Sequence, residues 1–216
     1  TFGFGFFLSG VFWIVYSLTF DPSFKFLIPF AVILIPLFLG LFAGITILIV
    51  GQFLSFNLSS VLLFSGSIAF SDYIRGKIFT GFPWNVWAYS WSWATEILQI
   101  LNLIGLFAFN LLAVTIFTLP AVLFFNNSLS KKTLVMSLVL LLIFSIFIYG
   151  STSINKNKVL IDFIDKKDKV YIKVVSPNFA LKYNLSENEI EDKLKKLVKY
   201  SDPDPNKNTL FIWPEG

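Results

Sequence analysis

Long apolar runs broken by short polar interruptions fill the first 154 positions, and a bilayer core takes about 20 apolar residues of helix to cross. Runs at residues 2–20, 26–50, 58–74, 97–125 and 134–154 predict five spanning helices. Asp21-Pro22 closes the first, and Arg75-Gly76-Lys77 closes the third. Pro29 and Pro36 fall inside the second, which lipid-embedded helices tolerate because neighbours re-satisfy the freed carbonyls. The fourth is long, with a kink expected at Pro120. Gly3, Gly5 and Gly10 in the first run and the Gly40/Gly44 pair in the second are small residues of the kind that lets helices approach in lipid. Taken singly, each is also ordinary membrane-helix composition.

After Ile154 the pattern changes. Residues 155–168 read as a charged linker. Residues 170–175 alternate and are β-branched, as a strand does. Ser186 followed by Glu189 fits a capping box, and the helix it opens places Ile190, Leu194, Leu197 and Val198 on one face. Asp202-Pro203-Asp204-Pro205-Asn206 is a turn, and residues 209–213 form a second short strand. Strand, helix and strand with short links open an α/β domain over residues 169–216. The predicted fold class is an α-helical membrane bundle followed by the start of an α/β domain.

Composition supports this division. Of 216 residues, 56% are hydrophobic and 14% charged, against about 25% charged in a soluble domain. Residues 1–150 carry five basic side chains (Lys25, Arg75, Lys77, Lys131, Lys132) and three acidic ones (Asp21, Asp72, Glu96), so the remaining charges crowd into the last 66 positions. The net charge of +4 is spread among interleaved acids and gives no nucleic-acid footprint. Cysteine and histidine are both absent, which excludes disulfides, thiolate chemistry, Ser-His-Asp catalysis and the usual zinc ligands within these residues. No metal or cofactor is called for. Residue 1 is not Met and residues 211–216 stop in mid-element, so both ends are expected to be cut.

Two places carry candidate chemistry. Residues 81–93 hold four Trp and a Tyr around a Gly-Phe-Pro-Trp turn. Such aromatics form a belt at a membrane–water interface, and the turn suggests a shaped lipid-binding mouth made by Phe82, Pro83 and Trp84. Arg75 and Lys77 beside it could hold a phosphate headgroup, but cations snorkelling from a helix end are the favoured reading. The other is Glu215, a carboxylate just after an apolar strand, where α/β folds place reactive groups. A solvated loop carboxylate is the bland alternative.

Four stretches resemble a known family. Residues 210–215, "LFIWPE", look like an element of the nitrilase, or carbon–nitrogen hydrolase, superfamily, which uses a Glu–Lys–Cys triad. Residues 71–92, "SDYIRGKIFTGFPWNVWAYSWS", resemble the "EWLRG…FTGFPW…GYSQ" signature of its membrane-bound apolipoprotein N-acyltransferase family. Residues 2–14 and 174–183 resemble that family's Gly/Phe-rich span and its "VQGNIPQ…KW" strand and loop, in the family's order. The Arg-Gly-x-x-Phe-Thr-Gly-Phe-Pro-Trp run is the specific part. Departures are Asp72 for the usual Glu, Ser176-Pro177-Asn178 for "QGN", Tyr183 for the "KW" aromatic and Trp91 for the Gln of "YSQ".

The resemblance implies a nitrilase-like αββα sandwich for the second domain. It implies a multi-pass enzyme of the bacterial inner membrane with that domain facing the periplasm. The activity it implies moves an acyl chain from a phospholipid, through a thioester, to the N-terminal amine of a diacylglyceryl-Cys lipoprotein. Phospholipid, diacylated lipoprotein and membrane lipids are then the partners. Glu215 would be the general base and Tyr183 would line the acyl entrance, with the family's Lys and Cys beyond Gly216 and two spans before Thr1. A count of positive charges alone would instead put the tail in the cytoplasm. The competing readings are a membrane-anchored amidase of the same superfamily, or a non-catalytic transporter-like protein, against which stands the scarcity of charge within the spans.

Overall fold

Uninterrupted apolar sequence makes helix wherever it runs, and the exceptions sit at Pro and Gly. In this computed structural model the described residues are 1–79, 81–125, 128–163, 171–179 and 185–214, with 162 and 163 described by backbone alone. Two compact units emerge, Thr1–Val15 with Leu27–Val159, and Tyr16–Phe26 with Leu160–Gly216.

The first unit is helical. Helix α1 (Phe2–Val11) passes into a 3₁₀ segment, Phe12–Thr19. Helix α2 (Ile28–Val50) carries Pro29 in its first turn, where the missing N–H costs nothing, and buries Pro36 mid-helix. Helix α3 (Leu58–Arg75) starts at Asn57, whose side chain accepts from Ser60 N–H at 2.8 Å. Then follow the short α4 (Thr95–Leu98), α5 (Leu101–Thr118) with a break at Gly105, and α6 (Leu129–Phe163).

Glycines set the closest packing. A Cβ on Gly3 would stand 2.9 Å from the Gly40 carbonyl, and one on Gly40 would stand 2.8 Å from Phe4 N, so α1 and α2 touch backbone to backbone there. Gly44, the other member of the expected pair, faces open space. Phe7, Val11 and Leu39 are buried beside this contact, with Phe82 packed on them. A second cluster gathers Val86, Ala88, Ile97, Phe109 and Ile146, and a third Val61, Val122 and Phe125.

Three expectations need correction. Four helices among the described residues, rather than five, are long and apolar enough to cross a membrane: Phe2–Thr19, Pro22–Phe53, Leu101–Phe124 and Leu129–Ile161. The expected span at 58–74 is helical, but its five serines, Asp72 and Arg75 leave it short of that apolarity. The run at 97–125 is not one helix: α4 and α5 are separate, and Pro120 lies in a 3₁₀ turn, Leu119–Phe124. Residues 155–163, expected as linker, continue α6, because extending a formed helix fixes little per residue and Lys is a good helix former. The outward apolar side chains of these helices, Phe124 at 89% exposure among them, are what lipid-facing surface requires.

In the second unit, strand β1 (Tyr171–Val174) and strand β2 (Thr209–Ile212) pair in parallel, Tyr171 opposite Thr209 and Val174 opposite Ile212. Helix α7 (Glu187–Ser201) lies between them in sequence and begins with the expected capping box of Ser186 and Glu189. Asp202 ends it in the left-handed conformation at φ 41°. The described residues show these two short strands and no larger sheet.

Candidate functional site

The aromatic segment after α3 is built on one buried cation. Arg75, the chain's single arginine, ends α3 and is 2% exposed. One terminal nitrogen donates to the Phe82 carbonyl at 2.6 Å and the Trp84 carbonyl at 2.8 Å. The other donates to Asp72 Oδ1 at 3.0 Å. Its Cζ lies 4.9 Å from the centre of the Phe7 ring. The guanidinium therefore does not snorkel to water; it supplies the hydrogen bonds that the turn's carbonyls lack, which buried backbone demands.

Asp72 is held in turn. Asn110, wholly buried in the middle of α5, donates from Nδ2 to Asp72 Oδ2 at 2.9 Å and accepts at Oδ1 from Ala88 N–H at 3.0 Å. A chain of bonds thus runs from α5 through α3 to both halves of the aromatic segment. The segment's backbone fits this frame. Gly81 sits at φ 77° with the Gly76 carbonyl 2.7 Å from where a Cβ would stand, and Asn85 is also left-handed at φ 56°. Trp84, half-exposed, stacks on Trp13 with ring centres 5.0 Å apart, and Trp87 stacks on Phe6 at 5.0 Å.

Beneath the segment lies a cavity of about 490 Å³, lined by Phe6, Phe42, Phe64 and Phe117 and, at its polar end, by Asp72 and Arg75. Among the described residues, Arg75 Nε and Trp91 Nε1 are buried without an acceptor. No group of metal-binding side chains occurs among them.

Of the residues expected from the sequence, Arg75, Phe82 and Trp84 are brought together, and Pro83 follows between them. Lys77 is exposed two residues beyond Arg75. Tyr183 and Glu215 lie outside the described residues. The strand leading to Glu215 is described as far as Pro214, and Trp213 Nε1 donates to Ser201 Oγ at the end of α7 at 2.8 Å. Sequence reasoning missed Asn110, and its signal was plain: a polar side chain in the middle of an apolar run has to find a partner.

A family model described as the apolipoprotein N-acyltransferase N-terminal domain matches residues 1–119. Among curated relatives named apolipoprotein N-acyltransferase, that of Rhodopseudomonas palustris is 27% identical, covering 100% of this chain and 41% of the relative. The Brucella melitensis protein is 30% identical over 99% of the chain and 40% of its own length. The Rickettsia typhi protein is 29% identical over 100% of the chain and 42% of itself. The chain thus spans about two fifths of the length of these relatives. No solved structure matches it.

Proposed function

Given that this chain belongs to the apolipoprotein N-acyltransferase family, we propose that it forms part of an enzyme that transfers a fatty acyl chain from a phospholipid to the N-terminal amine of a diacylglyceryl-Cys lipoprotein. The observation that carries this reading is the similarity to enzymes of that name along the whole chain, membrane helices and strand–helix–strand segment alike. Transfer runs in two steps. A thiolate attacks the phospholipid ester, the lysophospholipid leaves, and the acyl group stays as a thioester. The lipoprotein's amine then attacks the thioester and releases the thiol. The 216 residues hold no cysteine, so the thiol of this reading lies outside them.

Glu215 takes the proton from the thiol and later from the amine, the work of a general base. A lysine outside these residues stabilises the oxyanion that develops in each step. Phe82, Pro83 and Trp84 form the lipid-contact surface with Lys77 alongside, and Arg75 holds that surface from beneath. Tyr183 is assigned to the acyl entrance by resemblance. The residues from 169 onward are the start of a nitrilase-like domain, and the enzyme sits in the bacterial inner membrane with that domain in the periplasm.

The test uses the complete protein in vesicles with labelled phospholipid and a diacylated lipopeptide. N-acylated lipopeptide is the expected product. Release of free fatty acid with no N-acylation would replace the transferase reading with a hydrolase.

A further inference from the structure

The sheet lets go of the chain just before Glu215. Its last ladder contact on β2 is the Ile212 carbonyl, which accepts from Val175 N–H at 3.0 Å. That bond fixes the peptide leading into Trp213. Beyond it come Trp213, Pro214 and then Glu215, the general base of the proposed mechanism. The Pro214 ring locks its own φ at about −65° and confines Trp213 to extended backbone. The soft torsions left between the sheet and Glu215 are then φ of Trp213 and ψ of Pro214.

A side-chain bond restrains the first of these. Trp213 Nε1 donates to Ser201 Oγ at 2.8 Å, across the turn that joins α7 to β2. Trp213 is 42% exposed, so burial does not fix its ring, whereas an indole held at its far end allows little rotation at its own Cα. Ser201 is a firm anchor. It is the last residue of α7, 4% exposed, and the one buried polar side chain among the described residues of the second unit. Its hydroxyl donates to the Leu197 carbonyl at 2.8 Å, one turn back. Its single proton is thereby committed, and what it offers the indole is an acceptor, the only partner an indole N–H can use. The helix end behind it is held by Asp202 N–H, which donates to the Val198 carbonyl at 3.3 Å.

We propose that Ser201 is a positioning residue for Glu215: by holding the Trp213 indole it sets the direction in which β2 delivers the carboxylate to the reacting thiol. The inference deepens the general-base reading of Glu215 and rests on it. Ser201 touches neither lipid nor thiol in this role, and acts through Trp213 alone.

The complete protein is reconstituted in vesicles of phosphatidylethanolamine carrying a labelled acyl chain, and the rate of acyl-enzyme formation is read against lipid concentration. Ser201→Ala removes the acceptor, and Trp213→Phe keeps a ring while removing the donor. Each should lower the maximal rate about 10- to 100-fold, the cost of a reacting group misplaced by up to about 1 Å, and leave the half-saturating lipid concentration unchanged. Ser201→Thr keeps the hydroxyl and can return the same bond to the i−4 carbonyl, so its rate should stay within about twofold. The changes are then repeated in Glu215→Gln. With the base gone there is nothing to position, and Ser201→Ala or Trp213→Phe should lower the residual rate no further. Lowering by the same factor in both backgrounds marks a folding effect and overturns the proposal, as does a raised half-saturating concentration at unchanged maximal rate. Unaltered rates in Ser201→Ala and Trp213→Phe beside a slow Glu215→Gln overturn the positioning role alone. An unaltered rate in Glu215→Gln overturns the base assignment and the positioning role with it. Trp213→Phe makes the same comparison from the other partner, so the test stands even where Ser201→Ala does not fold.

Discussion

Asn110 and Asp72, 38 positions apart, are joined by a 2.9 Å hydrogen bond between α5 and α3, and everything the aromatic segment does depends on what that bond steadies. Asn110 fixes Asp72, Asp72 fixes Arg75, and Arg75 fixes the carbonyls of Phe82 and Trp84.

Asn110→Leu keeps the volume and removes both bonds. Interhelical hydrogen bonds in membranes contribute up to about 1–2 kcal/mol, so a loss of that size is expected in the midpoint of detergent-induced unfolding. Wild-type stability would show that water already serves Asp72 and Ala88.

Arg75→Met should be harsher. It strands Asp72 and releases two turn carbonyls, and breaking a buried pair from one side costs about 3–5 kcal/mol. Asp72→Asn combined with Arg75→Met should lose less than the sum of the single changes, because the stranded charge is gone. Strict additivity in that cycle would mean the two side chains do not interact.

Gly40→Val should wedge α1 from α2, at a cost of about 1–3 kcal/mol for overpacking. Gly44→Val, with open space around its Cβ, should be tolerated. Equal effects of the two substitutions, read by thermal unfolding in detergent, would contradict the packing described.

Glu215→Gln in the complete enzyme keeps shape and removes basicity. A loss of 10²–10⁴-fold in acyl-enzyme formation is expected, with folding unaffected, and Glu215→Asp should also be poor. Normal acyl-enzyme accumulation in Glu215→Gln would take Glu215 out of the reaction.

The turn before β2 should respond to pH. Asp204 is held below the ordinary carboxylate range, first by the Asn206 backbone N–H and then by Lys207, whose own value Asp204 raises. Asp204's contribution is present above its unfolded pKa and lost as pH falls through the folded one. That of Lys207 is present below its unfolded pKa and lost as pH rises through the folded one. The turn is therefore tightest between the carboxylate and lysine ranges. Protection of the Asn206 amide, its exchange rate relative to that of an unstructured peptide at the same pH, should fall as pH drops through the Asp204 range; no protection at any pH would show the contacts absent in solution.

Much of this was legible in the sequence, and the misses have physical causes. The capping box at Ser186 and Glu189 is a local rule and reads directly from spacing. Pro29 and Pro36 both lie inside the second span as the hydropathy pattern has them, Pro29 in the first turn of α2. The continuation of α6 to Phe163 escaped because charged residues look like linker, although a helix already formed carries them easily. Arg75 read as a snorkelling cation because its acceptors, the carbonyls of Phe82 and Trp84, are backbone atoms that no residue-type pattern displays. The run from Arg75 to Trp84 marked the segment that Arg75 holds, without showing that Arg75 faces inward.

Helix α3 is the least apolar of the long helices of the first unit, yet it carries the one arginine and the carboxylate paired with it. Left alone in hydrocarbon, it would have to hide both charges or be expelled. Its partners come later in the chain, the turn carbonyls first and Asn110 last. The polar end of α3 is therefore completed only when α5, made later, has packed against it. Substitutions at Asn110 should act at that moment, weakening the docking of α3 on α5.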